Sequence, residues 1–198
     1  MIAIFDLKTG NISSLKKVLD YRGINNYVCD NPDQLNKAAK IIIPGVGSFD
    51  NFMSKLGHKD AIDQLKYQVL KKEKPLLGIC MGMQILLENS EEGIQKGLGF
   101  IEGSVKKFDI KFNKRIPHMG LNFVEPIREN SLISLNKQTF YFLHSYYSSV
   151  EENCIIATTA YGNKFPSIIG KKNIFGVQFH PEKSQKTGKT LLKNFSQL

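Results

Sequence analysis

The chain has no tryptophan, little arginine (Arg22, Arg115 and Arg128) and only three cysteines in 198 residues. Cys29, Cys80 and Cys154 are widely spaced, odd in number and free of any C-x-x-C pair. That excludes a disulfide framework and a thiolate zinc site, and it fits reduced thiols. No apolar run reaches the ~20 residues needed to span a bilayer. The segment Met1-Ile2-Ala3-Ile4-Phe5-Asp6 has no basic stretch ahead of its apolar residues. It reads as a first strand rather than a leader, and a cytoplasmic location without membrane attachment is expected. The scarcity of arginine bears on the formal charge of +9. A basic chain raises nucleic acid as a partner. Here lysine supplies the charge, scattered over positions such as Lys16, Lys37, Lys71, Lys106 and Lys171. Lysine lacks the forked geometry that reads phosphates and base edges, so the charge reads as a solvated face and no nucleic-acid partner is expected.

What is present describes a globular protein: 41% hydrophobic and 23% charged residues, in a length that suits a single domain over 1–198. The first half alternates apolar runs with amphipathic stretches. Strands are predicted at Ile2–Phe5, Tyr27–Cys29, Lys40–Ile43 and Pro75–Ile79. Helices are predicted from Asn11 or Ser13 to about Arg22, over Pro32–Ala39, over Asp60–Lys71 and over Met81–Glu88. This alternation, with continuous apolar strands such as Ile41-Ile42-Ile43, predicts an α/β fold: an open, mostly parallel sheet flanked by helices, flavodoxin-like. The second half changes character. Gly99–Phe108, Thr139–Leu143, Cys154–Thr159, Ser167–Gly170 and Ile174–Gln178 read as additional strands joined by short turns, more antiparallel, before a closing helix over Thr187–Phe195.

Gly78-Ile79-Cys80-Met81-Gly82 carries the strongest chemical signal. It has the form G-x-C-x-G between a buried strand and a helix, the cysteine version of a nucleophile elbow. A sharp turn holds the nucleophile in a strained conformation, and neighbours without side chains let the turn close. The thiol then meets the start of the Met81–Glu88 helix, whose dipole favours thiolate, and the Met81 N–H points where an oxyanion would form. A buried structural cysteine is the bland alternative, and it is the preferred reading for Cys29 and Cys154, which sit in apolar strands. Among His58, His118, His144 and His180, the last stands out, because Glu182 lies two residues on and Pro181 stiffens the link. The turn Pro44-Gly45-Val46-Gly47 follows a buried strand, where open α/β sheets bind ligands, and its backbone N–H groups are candidates to complete an oxyanion hole.

Together these segments resemble the class I (triad-type) glutamine amidotransferases across essentially the whole chain. The resemblance rests on Gly78-Ile79-Cys80-Met81-Gly82-Met83-Gln84 and Phe179-His180-Pro181-Glu182. Within that class the sequence is similar to the glutaminases of imidazole glycerol phosphate synthase, through Asp6…Gly10-Asn11, Pro44-Gly45-Val46-Gly47-Ser48-Phe49, Pro117-His118-Met119-Gly120-Leu121-Asn122 and Tyr141-Phe142-Leu143-His144-Ser145-Tyr146. The resemblance implies a triad of Cys80, His180 and Glu182. It implies glutamine held by Gln84 and Glu92 in a pocket lined by His144, Ser145 and Tyr146, with no metal or cofactor. It also implies a heterodimer with a (β/α)8-barrel cyclase that receives the ammonia. Two segments depart from the family pattern. Asp6-Leu7-Lys8-Thr9-Gly10-Asn11 stands where the family has Asp-Tyr-Gly-x-Gly-Asn, and Leu121 stands where it has tryptophan. These departures leave open a related glutaminase that feeds another synthase, such as one amidating a sugar. A stand-alone cysteine hydrolase and a non-catalytic module are the remaining readings.

Overall fold

The computed structural model describes residues 1–8, 11–57, 59–111 and 115–198. Thr9, Gly10 and His58 lie outside the described residues. The first half builds strands β1 (Ile2–Phe5), β2 (Asn26–Cys29), β3 (Lys40–Gly45) and β4 (Leu76–Cys80), with helices α1 (Ile12–Tyr21), α2 (Phe49–Leu56), α3 (Lys59–Lys66) and α4 (Met81–Gln84). The second half adds β5 (Asn89–Ser90), β6 (Gly103–Lys107), β7 (His118–Pro126), β8 (Gln138–His144), β9 (Tyr146–Val150), β10 (Ile155–Tyr161), β11 (Asn163–Lys171), β12 (Ile174–Val177) and α5 (Gln185–Gln197).

A nine-stranded sheet runs in the order β2-β1-β3-β4-β12-β11-β10-β7-β8. The strands from β2 to β12 are parallel, and those from β12 to β8 pair antiparallel. The expected α/β architecture is therefore present, with its antiparallel extension. A separate three-stranded sheet, β5-β6-β9, was not anticipated. The central strands are buried on both faces because their apolar runs leave no polar side. Ile41 and Ile43 pack into one core cluster and Ile42 into the other. Helices α2 and α3 cover the first cluster; α1 and α5 cover the second.

Local chemistry explains several boundaries. The Asn11 side chain caps α1 by accepting the Ser14 N–H at 3.2 Å, and Gly23, at φ +66°, lets the chain leave it. The segment predicted as a helix over Pro32–Ala39 is a 3-10 helix over Pro32–Lys37, and the Asp60–Lys71 helix ends in a π turn over Tyr67–Lys71. The helix predicted over Met81–Glu88 is a single turn. The N–H groups of Gly97, Leu98, Gly99 and Phe100 donate to the carbonyls of Glu88, Ile85, Leu87 and Leu86, so a returning strand of chain takes the acceptors that further turns would use. The predicted strand Gly99–Phe108 shortens to Gly103–Lys107 because its first residues make those contacts.

Four elements escaped the sequence reading: α2, β5, β7 and β9. For β7 the reason is its composition. His118 and Val124 face inward while Met119, Leu121 and Phe123 face out, 67%, 61% and 54% exposed, so no alternation of polar and apolar residues marks the strand.

Candidate active site

Cys80 ends β4, and its backbone stands at φ 56° and ψ −108°, a region that side-chain-bearing residues rarely occupy. The glycines of the elbow make this possible through close packing. A methyl group on Gly78 would run into the Gly82 carbonyl, and one on Gly82 into the Ile43 carbonyl. α4 is one turn long, shorter than the helix expected over Met81–Glu88, so only a single turn stands behind the sulfur. The countercharge comes from elsewhere.

It comes from the strand beside β4. β12 runs parallel to β4 with Val177 opposite Ile79, so the next residues of both strands emerge together. Gln178, Phe179 and His180 therefore arrive next to Cys80. The His180 N–H donates to the Tyr141 carbonyl at 2.8 Å, and the Ser184 hydroxyl donates to the His180 carbonyl at 2.6 Å, which pins this exit to β8. His180 Nδ1 lies 2.9 Å from Glu182 Oε1, both side chains being almost fully buried. Its Nε2 is buried without a bonded partner among the described residues. Burial opposes the imidazolium, but the Cys80 sulfur and the Glu182 carboxylate outweigh it and push the His180 pKa up to about 10. The sulfur is thus near enough to act on the charge of His180.

A cavity of about 260 Å³ opens over the sulfur, slightly below the ~300–1,000 Å³ usual for small-molecule sites. Val46, Gly47, Met81, Gln84, Glu92, His144, Ser145 and Tyr146 line it with Cys80, joined by Pro117 and Leu143, which the sequence reading did not single out as pocket residues. Gly45, His180 and Glu182 are buried outside that lining. Gly45 faces Cys80 in the β3–β4 register, which brings the Pro44–Gly47 turn beside the elbow.

Three of the expected substrate residues have part of their bonding capacity committed already. Glu92 Oε2 accepts the Phe49 N–H at 2.8 Å, holding the start of α2. Burial raises the Glu92 pKa against that bond. Gln84 Nε2 donates to the Tyr146 carbonyl and to Gln178 Oε1, both at 3.1 Å, leaving its buried Oε1 without a bond. His144 has both ring nitrogens engaged, by His118 Nδ1 at 3.0 Å and the Tyr146 carbonyl at 2.7 Å, so its imidazole shapes the wall. Gln178 and His118 were missed as site residues. Their side chains reach the site through contacts with residues distant in sequence, His144 for His118 and Gln84 and Cys80 for Gln178, which spacing along the chain does not reveal.

The class I glutamine amidotransferase family matches residues 3–197. The chain belongs to the class I glutamine amidotransferases. This amidotransferase is 46% identical over 201 residues to imidazole glycerol phosphate synthase subunit HisH 1 of Campylobacter jejuni, with 100% of both chains covered. It is 42% identical over 205 residues to the HisH subunit of the same synthase from Bacillus subtilis, covering 100% of this chain and 96% of that one. A glutamine amidotransferase of known crystal structure shares its fold, with a TM-score of 0.77 at 19% identity over 98% of this chain and 96% of the other. Among the described residues of this amidotransferase, no helix is long and apolar enough to cross a membrane, and no group of three or more metal-binding side chains comes together.

Proposed function

We propose that this chain is the glutaminase subunit of an imidazole glycerol phosphate synthase, hydrolysing glutamine to glutamate and ammonia in histidine biosynthesis. Cys80 Sγ attacks the side-chain amide carbon of glutamine. Backbone N–H groups of Met81 and of the Gly45-Val46-Gly47 turn stabilise the oxyanion. His180, held by Glu182, protonates the departing ammonia, leaving a glutamyl thioester. His180 then takes a proton from water, which attacks the thioester, releases glutamate and restores the thiol. Gln84 and Glu92 orient the substrate against the wall formed by His144, Ser145 and Tyr146.

The observation that carries this reading is the convergence of Cys80, which lines the cavity, with the His180–Glu182 pair behind it, at the ends of two neighbouring parallel strands. The ammonia goes to a (β/α)8-barrel cyclase in a heterodimer, and the whole chain acts as one domain in the cytoplasm. A partner surface is available beside the cavity. Leu143 lines it and pairs with Met119, from which the exposed row Met119, Leu121 and Phe123 extends along β7. Leu121 on that row also supports a second reading, a paralogous glutaminase that serves another synthase, because it replaces the family's tryptophan where a partner would dock.

The test measures glutamate released from glutamine, with and without a cyclase barrel and its ribonucleotide ligand. Strong stimulation by the barrel is expected. Turnover indifferent to the barrel but raised by a sugar-amidating synthase would move the assignment to the paralogue.

A further inference from the structure

The polar groups around the cavity form one continuous string of hydrogen bonds, and their chemistry forces the sense of each link. A carbonyl only accepts, so His144 Nδ1 carries the proton and donates to the Tyr146 carbonyl at 2.7 Å. With that proton placed, neutral His144 accepts at Nε2, and His118 Nδ1 must donate to it at 3.0 Å. His118 Nε2 is then an acceptor, and it receives the Asn122 amide N–H at 3.1 Å. On the other side of Tyr146, Gln84 Nε2 donates both to the same carbonyl and to Gln178 Oε1. Gln178 Nε2 in turn donates toward Cys80 Sγ at 3.8 Å.

The string therefore runs from Asn122 on β7 to the nucleophile, through two histidines for which the hydrolysis needs no proton. Its surroundings keep it rigid. His118 is stacked on Tyr161 and Phe142, with ring centroids 4.0 Å and 4.6 Å away, and Phe108 packs against both histidines. Such a site favours neutral rings, which the string requires. Asn122 and Gln178 have both amide ends bonded, so neither can flip without losing a bond, and Gln84 is held by its two N–H donations with its Oε1 left unbonded.

We infer that Asn122, His118, His144, Gln84 and Gln178 act as positioning residues for the Cys80 sulfur and for the cavity wall opposite it. Gln178 is the working end: its amide fixes the side-chain direction of Cys80 and donates to the sulfur when it is anionic. The two histidines hold the Leu143–Tyr146 wall and, through Tyr146 and Gln84, keep the Gln178 amide turned toward the sulfur. This deepens the glutaminase reading and rests on it for the substrate.

The test follows alkylation of Cys80 by iodoacetamide at pH 7 in the full chain, read by peptide mass so that Cys29 and Cys154 are scored apart. Glutamine turnover with the cyclase barrel is measured alongside. Gln178→Met keeps length and removes the donor, and Gln178→Leu is a second version should the first fold poorly. Each is expected to slow Cys80 alkylation about fivefold and kcat by a similar factor, with KM within about twofold, as loss of one hydrogen bond implies. His118→Phe, which packs but cannot donate, is expected to slow both about threefold. His118→Asn, which keeps a donor near the Nδ1 position, should recover at least half of that loss. Alkylation and kcat within twofold of the parent in both Gln178 variants would overturn the proposal, as would equal behaviour of His118→Asn and His118→Phe. If the parent releases no glutamate but alkylation follows the expected pattern, the glutaminase reading falls and the positioning role stands.

Discussion

At the exit of β12, His180 lies against Glu182 and the Cys80 sulfur, and those partners hold it charged despite burial. Within the β7–β8 pair, His118 and His144 face each other across the register, among aromatic rings and without a bonded carboxylate. Burial, the largest influence on each, lowers the His118 pKa to about 4 and the His144 pKa to about 3. The same side chain, buried to a similar degree, is a cation in one place and a neutral hydrogen-bonding plate in the other. The difference teaches that burial alone does not set a histidine's charge. The Cys80 sulfur, together with a carboxylate two residues along the chain held in reach by the 3-10 turn Pro181–Lys183, reverses the outcome.

The sharpest way to break the comparison is at the nucleophile. Cys80→Ser is expected to lower glutamine hydrolysis on the order of 10³-fold or more, while free ammonium still drives the partner synthase; a glutamate-release assay run beside an ammonium-fed synthase assay checks both halves. Next in size, Glu182→Gln keeps a bonding partner for His180 but removes the charge. A fall in kcat of roughly 10²- to 10⁴-fold is expected, with the His180 titration, followed by NMR, moving down toward the ordinary value. A variant that kept full turnover would remove Glu182 from the triad.

A smaller effect is expected at the outward row of β7. Leu121→Ser should leave the thermal midpoint nearly unchanged, since an exposed side chain contributes within about 0.5 kcal/mol, and it should weaken cyclase binding about tenfold in a titration. Unaltered binding would place the partner on another face.

The smallest effect separates the two histidine environments by pH. His180 has a raised pKa, so its contribution to stability is complete below the ordinary histidine value and is lost as pH rises through about 10. His118 and His144 have lowered values, so their contribution is present above the ordinary value and is lost as pH falls toward about 4 and about 3. Denaturant unfolding between pH 4 and 6.5 should therefore show stability falling with acid, and His118→Phe should flatten that slope by about one proton. An unchanged slope would mean that His118 takes up no proton on unfolding in that range.

Much of the fold was legible in the residues because its signals are local. The apolar runs at Ile41–Ile43 and Leu76–Ile79 predict strands covered on both sides, and Gly78-Ile79-Cys80-Met81-Gly82 predicts a tight turn, since only residues without side chains permit the contacts that Gly78 and Gly82 make. His180 and Glu182 were readable as a pair because they lie two residues apart. The single turn after Cys80 was not, because the carbonyls of Ile85 to Glu88 that would have extended that helix are taken by the later segment Gly97 to Phe100.

The sequence by itself determined the strand–helix order of the first half, the nucleophile with its flanking glycines, and the histidine with its carboxylate, all of them choices made by backbone propensity, side-chain volume and short spacing. Only the tertiary structure decided that β12 inserts beside β4, which brings His180 to Cys80 across a hundred residues of chain. It also decided which histidines are charged, and that Gln178 and His118 belong to the site. Those outcomes depend on what packs around a group from distant strands, and a pattern along the chain does not contain that information.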